Sequence, residues 1–312
     1  MSWKGDLIKA GIFSDGNNVD IFRGNLSVSG GMLDYNPSGG KDYYVDGNDG
    51  QSGRTGFGWD NSLDTLSEAI SLSHAWIASV ARGWAARNRI FVKGDDIEED
   101  LDLLAQKTDI IGVGSSDNHP MGCIRGNHVP VNSAMGCRFI NMRFRPAASE
   151  DLFILKSTTG SGIEFLGCQF DAKYSTFTAP SAIDATAQQY MKIIGCKFVS
   201  AFTGDVIDLG AGRMDALRIC DNVIMGGAND GIIVTGTLTT VQGRNGLIAR
   251  NIIQVAAVTI NDGADSVLYS VDNRLISAAA YGATSHVITA GYGSGNIVTG
   301  NDNTHNIPSL AD

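Results

Sequence analysis

The sequence predicts an all-β solenoid, a single-stranded parallel β-helix, on three observations. One short pattern returns along residues 109–303: apolar, any, apolar, two of any kind, Cys or Asn, any, apolar. Its clearest copies are Ile163-Glu164-Phe165-Leu166-Gly167-Cys168-Gln169-Phe170, Met191-Lys192-Ile193-Ile194-Gly195-Cys196-Lys197-Phe198 and Leu217-Arg218-Ile219-Cys220-Asp221-Asn222-Val223-Ile224. The copies return at a regular period: anchored two residues before the closing apolar position, they fall on Gly114, Met142, Cys168, Cys196, Asn222, Asn251, Asn273 and Asn301, 22 to 29 residues apart. A period in the twenties with short apolar strands and turn residues between them marks stacked coils. The third observation is composition: 39 Gly, 6 Pro, 43% apolar and only 18% charged residues, enough to fill a core and too little charge for a disordered chain.

The first element is an extended arm, residues 1–40. Gly24-Asn25-Leu26-Ser27-Val28-Ser29-Gly30-Gly31 alternates apolar and polar residues between glycines. One such ribbon cannot bury its apolar side alone, so it needs the body of the chain or copies from other subunits. An entry segment follows, residues 41–108. In it Leu66, Ala69, Ile70, Ile77, Val80 and Ala81 recur at helical spacing and predict a helix over Leu63–Arg87, with Thr65 and Glu68 as a capping box. Arg89-Ile90-Phe91-Val92 reads as a strand, and an acidic run then spans Asp95–Asp102. Residues 109–303 form eight coils, and 304–312 a short tail. The anchors change from Cys to Asn along the axis. A single Asn reads as a surface turn residue, but four at one repeat position favour a coil-to-coil hydrogen-bonded ladder.

The order Tyr43–Asp46, Gly-rich loop, Thr65–Ile70, Ile90–Gly94, acidic turn, Ile110–Gly112 is similar to the entry into pectate-lyase-like β-helix proteins, phage tailspikes among them. The resemblance implies a right-handed parallel β-helix whose N-terminal end is capped by an α-helix. Gly24–Gly31 resembles linkers of trimeric phage fibre proteins, which implies a virion protein anchored and trimerised through its arm.

Proteins of this superfamily often bind or cleave acidic polysaccharides, and the resemblance implies such a site on the outer faces. None of the polygalacturonase-like motifs is complete. Asp95-Asp96 precedes the coils. Glu164 with Asp171 and Asp205 with Asp208 are carboxylate pairs for glycosidic hydrolysis, weighed against ordinary surface acids. Asp117, His119, Arg125 and His128 cluster in sequence and could serve lyase chemistry, although a polar loop is the simpler reading. His119 and His128 lack a third metal ligand, and the acidic run lacks the spacing of a calcium loop. No catalytic, cofactor-binding or metal residue is therefore assigned, and no cofactor is expected. Cys123, Cys137, Cys168, Cys196 and Cys220 lack zinc-site spacing and read as buried free thiols.

A net charge of -10 argues against a nucleic-acid surface spread over the chain. No apolar run approaches the roughly 20 residues of a membrane span. The opening Met1-Ser2-Trp3-Lys4-Gly5-Asp6-Leu7 lacks a signal-peptide pattern, so assembly in a host cytoplasm is expected. The favoured function is a non-catalytic phage virion protein, capsid-decorating or of spike or fibre type, a homotrimer contacting other virion proteins. The alternatives are a tailspike that degrades host surface polysaccharide and a non-viral carbohydrate-binding β-helix.

Overall fold

A computed structural model describes strands Leu26–Val28 and Gly31–Leu33, then residues 39–277 apart from 81–84, 95, 115–121, 157–158, 211, 213, 235–245, 257–259 and 263–267, and finally strands His286–Ile288, Tyr292–Ser294 and Ile297–Thr299. The chain winds as a right-handed parallel β-helix with three long parallel sheets. They hold ten, nine and six strands among the described residues. One coil shows the plan: Glu164–Leu166 in the ten-stranded sheet, Gln169–Asp171 in the nine-stranded sheet, then Ile183–Thr186 in the six-stranded sheet. About six turns carry all three strands.

Strand alternation explains the core. In a strand, neighbouring side chains point to opposite faces. In three-residue strands such as Arg138–Ile140, Arg143–Arg145 and Lys192–Ile194 the middle residue points in and its neighbours point out. Parallel register then stacks like on like. Phe139 lies over Phe165 with centroids 5.3 Å apart and planes 9° apart, and Phe170 over Phe198 at 4.8 Å and 5°. Phe144 continues the second column, stacked on Phe170 at 5.2 Å, and Phe153 from the six-stranded sheet meets Phe144 edge-on, their centroids 4.8 Å apart. Burying each such ring is worth on the order of 2–3 kcal/mol. Toward the C-terminus the columns change to aliphatic residues, Ile219, Ile224, Ile232, Ile248 and Ile253, all buried.

The corner between the ten- and nine-stranded sheets is two residues long in the coils from Arg138 onward. Its first residue is left-handed: Asn141, Gly167, Gly195, Asp221, Arg250 and Asp272 have φ between 53° and 66°. The second is the repeat anchor, turned inward. The expected ladder exists from Asn222 to Asn273. Asn222 Nδ2 donates to Asn251 Oδ1 and Asn251 Nδ2 to Asn273 Oδ1, each at 2.9 Å. Each Oδ1 also accepts the backbone N–H of the anchor one coil earlier, Cys196 N for Asn222 and Asn222 N for Asn251. Each Nδ2 also donates to a backbone carbonyl, that of Ile193, Ile219 or Ile248. The left-handed position is thus the residue before the anchor and not the anchor Asn itself. Asn301 lies outside the described residues.

Gly114 is not an anchor. Arg143 pairs with Cys123, so Met142 is matched one coil earlier by Gly122. Nine residues separate Gly112 from Gly122, and Gly114 stands at the wrong end of that interval. The long sheet also reaches back beyond Asp109, because Asp42–Asp46 and Asn88–Lys93 are its first two strands.

Between those two strands lies the one α-helix among the described residues, Leu66–Ser79. It ends eight residues before the expected Arg87, with Val80 extended. Leu66, Ala69, Ile70, Ser73 and Ile77 form its buried face. Ser73 Oγ lies 2.7 Å from Thr108 Oγ1 and accepts from Asn88 Nδ2 at 2.8 Å, which seats the helix on the first strands. Thr65 caps it, but the Glu68 carboxylate does not accept the Thr65 N–H to complete a capping box. That carboxylate accepts from Gly53 N, and Glu99 takes the helix end instead, accepting from Leu66 N and Ser67 N at 2.7 and 2.9 Å. In the arm, Leu26–Val28 and Gly31–Leu33 pair as an antiparallel hairpin.

Candidate functional site

The core uses the inward residues, so any site lies on the three outer faces. On the ten-stranded sheet the outward position runs Asp42, Arg89, Asp109, Arg138, Glu164, Lys192 in strict register. Opposite charges therefore alternate from coil to coil. Arg89 binds Asp42 at 2.5 Å, Arg138 binds Asp109 at 2.6 Å and Lys192 binds Glu164 at 2.8 Å. Arg87 also reaches Asp109. Beside this ladder a second outward column, Ile111, Ile140, Leu166 and Ile194, is apolar and half-buried.

The nine-stranded sheet has two zones. Its N-terminal coils carry a compact ion network. Arg145 binds Asp96 at 2.7 Å and Asp171 at 3.2 Å, Arg143 also binds Asp171, and Arg125 binds Glu98. A short hairpin, Lys173–Tyr174 with Phe177–Thr178, folds over it, and Tyr174 lies under both Arg125 and Arg145 at 4.9 and 5.3 Å. The Arg145 guanidinium helps hold Asp96 below the usual carboxylate range against the opposing effect of burial. Beyond the hairpin the face is mixed, with apolar residues set among exposed Lys197, Gln254 and Arg274. Val199, Met225 and Ile252 are 38%, 50% and 41% exposed, and Val223 and Ile276 lie among them.

The six-stranded sheet presents carboxylates. Asp184 and Asp208 face outward on adjacent strands in direct register, between Ile154 and Ile233 of the same column. Adjacent strands lie about 4.8 Å apart. Neither has an ion pair among the described residues. Burial, then the charges of Asp184, Asp205 and Asp151, pushes Asp208 up to about 6. Burial and Asp151 raise Asp184 in the same direction. Asp205 and Asp151 are occupied at the sheet edge, accepting from Asp230 N and Ser181 N at 2.9 and 2.8 Å.

The structure redistributes the residues singled out from the sequence. Glu164 and Asp171 stand on different sheets, each engaged by a cation, so they are not a pair. Asp205 lies near Asp208, but the in-register neighbour of Asp208 is Asp184. That partner was readable: Ile183-Asp184-Ala185 and Ile207-Asp208-Leu209 are one coil apart at the same point of the repeat. Asp95, Asp117 and His119 lie outside the described residues. Arg125 belongs to the ion network. His128 is fully buried against Phe144 and Phe153, and its Nδ1 accepts from Leu101 N at 3.1 Å. Burial pushes it down to about 3, so it is a neutral core residue and not a base. Four acids of the run are engaged within the chain: Asp96 by Arg145, Glu98 by Arg125, Glu99 by the helix end and Asp100 by Asn127 N. Among the described residues no group of three His, Cys, Asp or Glu could hold a metal ion. All five cysteines are buried and free.

Fold and faces together define the class: a right-handed parallel β-helix with ion-paired, apolar and acidic outer surfaces. No protein-family model, curated protein or solved structure matches the chain.

Proposed function

We propose that the protein is a non-catalytic structural component of a phage virion, capsid-decorating or of spike or fibre type, a homotrimer held to other virion proteins through residues 1–40. The observation that carries this reading is the exposed apolar zone of Val199, Met225 and Ile252 on a rod whose other outward charges are mostly tied to one another. Large apolar side chains exposed on neighbouring coils, here interleaved with Lys197, Gln254 and Arg274, are a feature of contact surfaces. The entry segment and arm add the resemblance to phage proteins, and free buried thiols fit assembly in a reducing cytoplasm. Light scattering after size-exclusion chromatography tests it, on the full chain and on a chain lacking residues 1–40. A trimer that weakens without the arm is expected. A monomer in both would overturn the reading.

The Asp184–Asp208 pair favours one second reading, cleavage of a host surface glycan. Two carboxyl groups about 5 Å apart are the arrangement of a retaining glycosidase. Incubation with a panel of bacterial polysaccharides separates the two. New reducing ends that disappear in both Asp184→Asn and Asp208→Asn would establish the enzyme. No cleavage by the native chain supports the structural role.

A further inference from the structure

Among the described residues the two most exposed large apolar side chains are Val131 and Met135, at 63% and 56%, and Leu103 is 39% exposed. Val131 N donates to Asp102 O and Leu104 N to Asn132 Oδ1, so Leu103 and Val131 lie side by side on successive coils. Met135 follows in the short strand Ala134–Met135, which pairs with Gly160–Ser161 on the corner leading from the six-stranded to the ten-stranded sheet. The three residues form an apolar strip along that corner.

The same corner receives the arm. Arg89 N donates to Lys41 O, Asn88 N to Lys107 O and Lys107 N to Met135 O. The entry of the chain into its first long-sheet strand therefore stands three coil spacings from Met135 on one corner, about 14 Å. Residues 34–38 join the arm's hairpin to Gly39, a link of at most about 20 Å. The hairpin can thus come to lie at the height of the strip. Its sequence suits that place. Leu26 pairs with Leu33 and Val28 with Gly31, so strand alternation sets positions 26, 28 and 33 on one face, Leu, Val and Leu, with Ser27 and Met32 on the other. A lone two-stranded hairpin is marginal in water and needs a neighbour.

A single chain leaves both surfaces unmet. The strip stays open, and the hairpin pairs with no further strand among the described residues. Exchange between copies satisfies both. A hairpin on a strip joins two different surfaces, a heterologous contact, and three such contacts close a ring. Rotation about an axis parallel to the rod keeps height unchanged, so a hairpin at the height of its own strip is also at the height of its neighbour's.

We propose that the hairpin of strands Leu26–Val28 and Gly31–Leu33 in one copy docks on the Leu103, Val131 and Met135 strip of a second copy, three exchanges closing a trimer. This assignment rests on the trimeric reading above and names both of its contact surfaces.

The test is cross-linking in the full chain. The native thiols are buried, so engineered cysteines react selectively with a short bis-maleimide. A chain carrying Leu33→Cys and Val131→Cys together should give a covalent trimer on a denaturing gel, and each single substitution a monomer. A link within one chain, read by mass on the monomer band, would seat the hairpin on its own copy and overturn the exchange. A dimer from Val131→Cys alone would set strip against strip and overturn the hairpin as the occupant. In parallel, Val131→Asp should keep the native circular dichroism and weaken the trimer about tenfold or more. Light scattering separates this assignment from the reading beneath it. A native trimer that neither Val131→Asp nor Met135→Asp weakens overturns the strip and leaves the trimer standing. A monomeric native chain overturns both.

Discussion

Replacing Asn251 by Ala tests the ladder as a source of stability. Asn251 is fully buried. Its amide donates to Ile219 O and Asn273 Oδ1 and accepts from Asn222 N and Nδ2, all within 2.9–3.0 Å. The losses are unequal. Asn222 Nδ2 keeps Ile193 O, and Asn273 Oδ1 keeps the backbone N–H of residue 251. The N–H of Asn222 loses its acceptor inside a dry core, and the carbonyl of Ile219 loses a donor. An orphaned buried group costs about 1–3 kcal/mol and each lost net hydrogen bond about 1 kcal/mol. The sum is on the order of 3–5 kcal/mol. For a chain of 312 residues that corresponds to a Tm lowered by about 5–8 °C. Thermal unfolding followed by circular dichroism measures it, with exposed Asn229→Ala as the surface control. A loss below about 1 kcal/mol, equal to the control, would refute the claim that the ladder is a stabilising element.

Three further outcomes are expected. Cys196→Asn extends the ladder by one coil: its Nδ2 reaches Phe165 O, where Cys196 Sγ now donates at 3.4 Å, and Asn222 Oδ1. A Tm raised by a few degrees is expected, and a lowered one would show that the aromatic coils above have no room. Phe170→Ala removes the ring stacked between Phe144 and Phe198 and should cost about 3–5 kcal/mol in chemical denaturation. His128 is neutral when folded and protonates in the unfolded chain near pH 6.5, while its folded value lies at about 3. The unfolded state thus gains the proton first, so stability is full above pH 6.5 and falls as pH drops toward 3, by on the order of 4 kcal/mol. Denaturation midpoints from pH 7 to 4 should show a shallower slope in His128→Gln, whose side-chain oxygen can still accept from Leu101 N.

The solenoid was legible because its signal is redundant. Alternation in each strand, a bulky residue in the middle and a small or left-handed-tolerant residue at the corner all repeat from coil to coil. The ladder was legible for the same reason, since Asn222, Asn251 and Asn273 share one position. Two things were hidden. Gly114 looked like an anchor because a short pattern cannot reveal where a longer interval ends, and only the pairing of Arg143 with Cys123 locates it. The helix end was hidden because apolar residues continue beyond Ser79 while the backbone at Val80 already turns to extended geometry. For the acidic pair, sequence neighbours misled. Asp205 and Asp208 are close along the chain, but in a solenoid the closest outward residue lies one coil away, which is where Asp184 stands. His128 was misread because polarity in the sequence carries no sign of burial.

The two-residue corner has a consequence for how such a chain can change. From Arg138 onward its length is constant, while successive coils differ by up to seven residues, from 22 to 29. That difference falls outside this corner, one residue of it at the register shift between Met225 and Gly227, and an outer corner already holds the Tyr174 hairpin. The rod thus behaves like a bound book, with pages of unequal width sharing one spine. Segments grafted at the outer corners, a loop or a whole binding module, would leave the pitch and the ladder untouched, whereas an extra residue at a corner that holds Asn222, Asn251 or Asn273 would displace that amide and interrupt the ladder there.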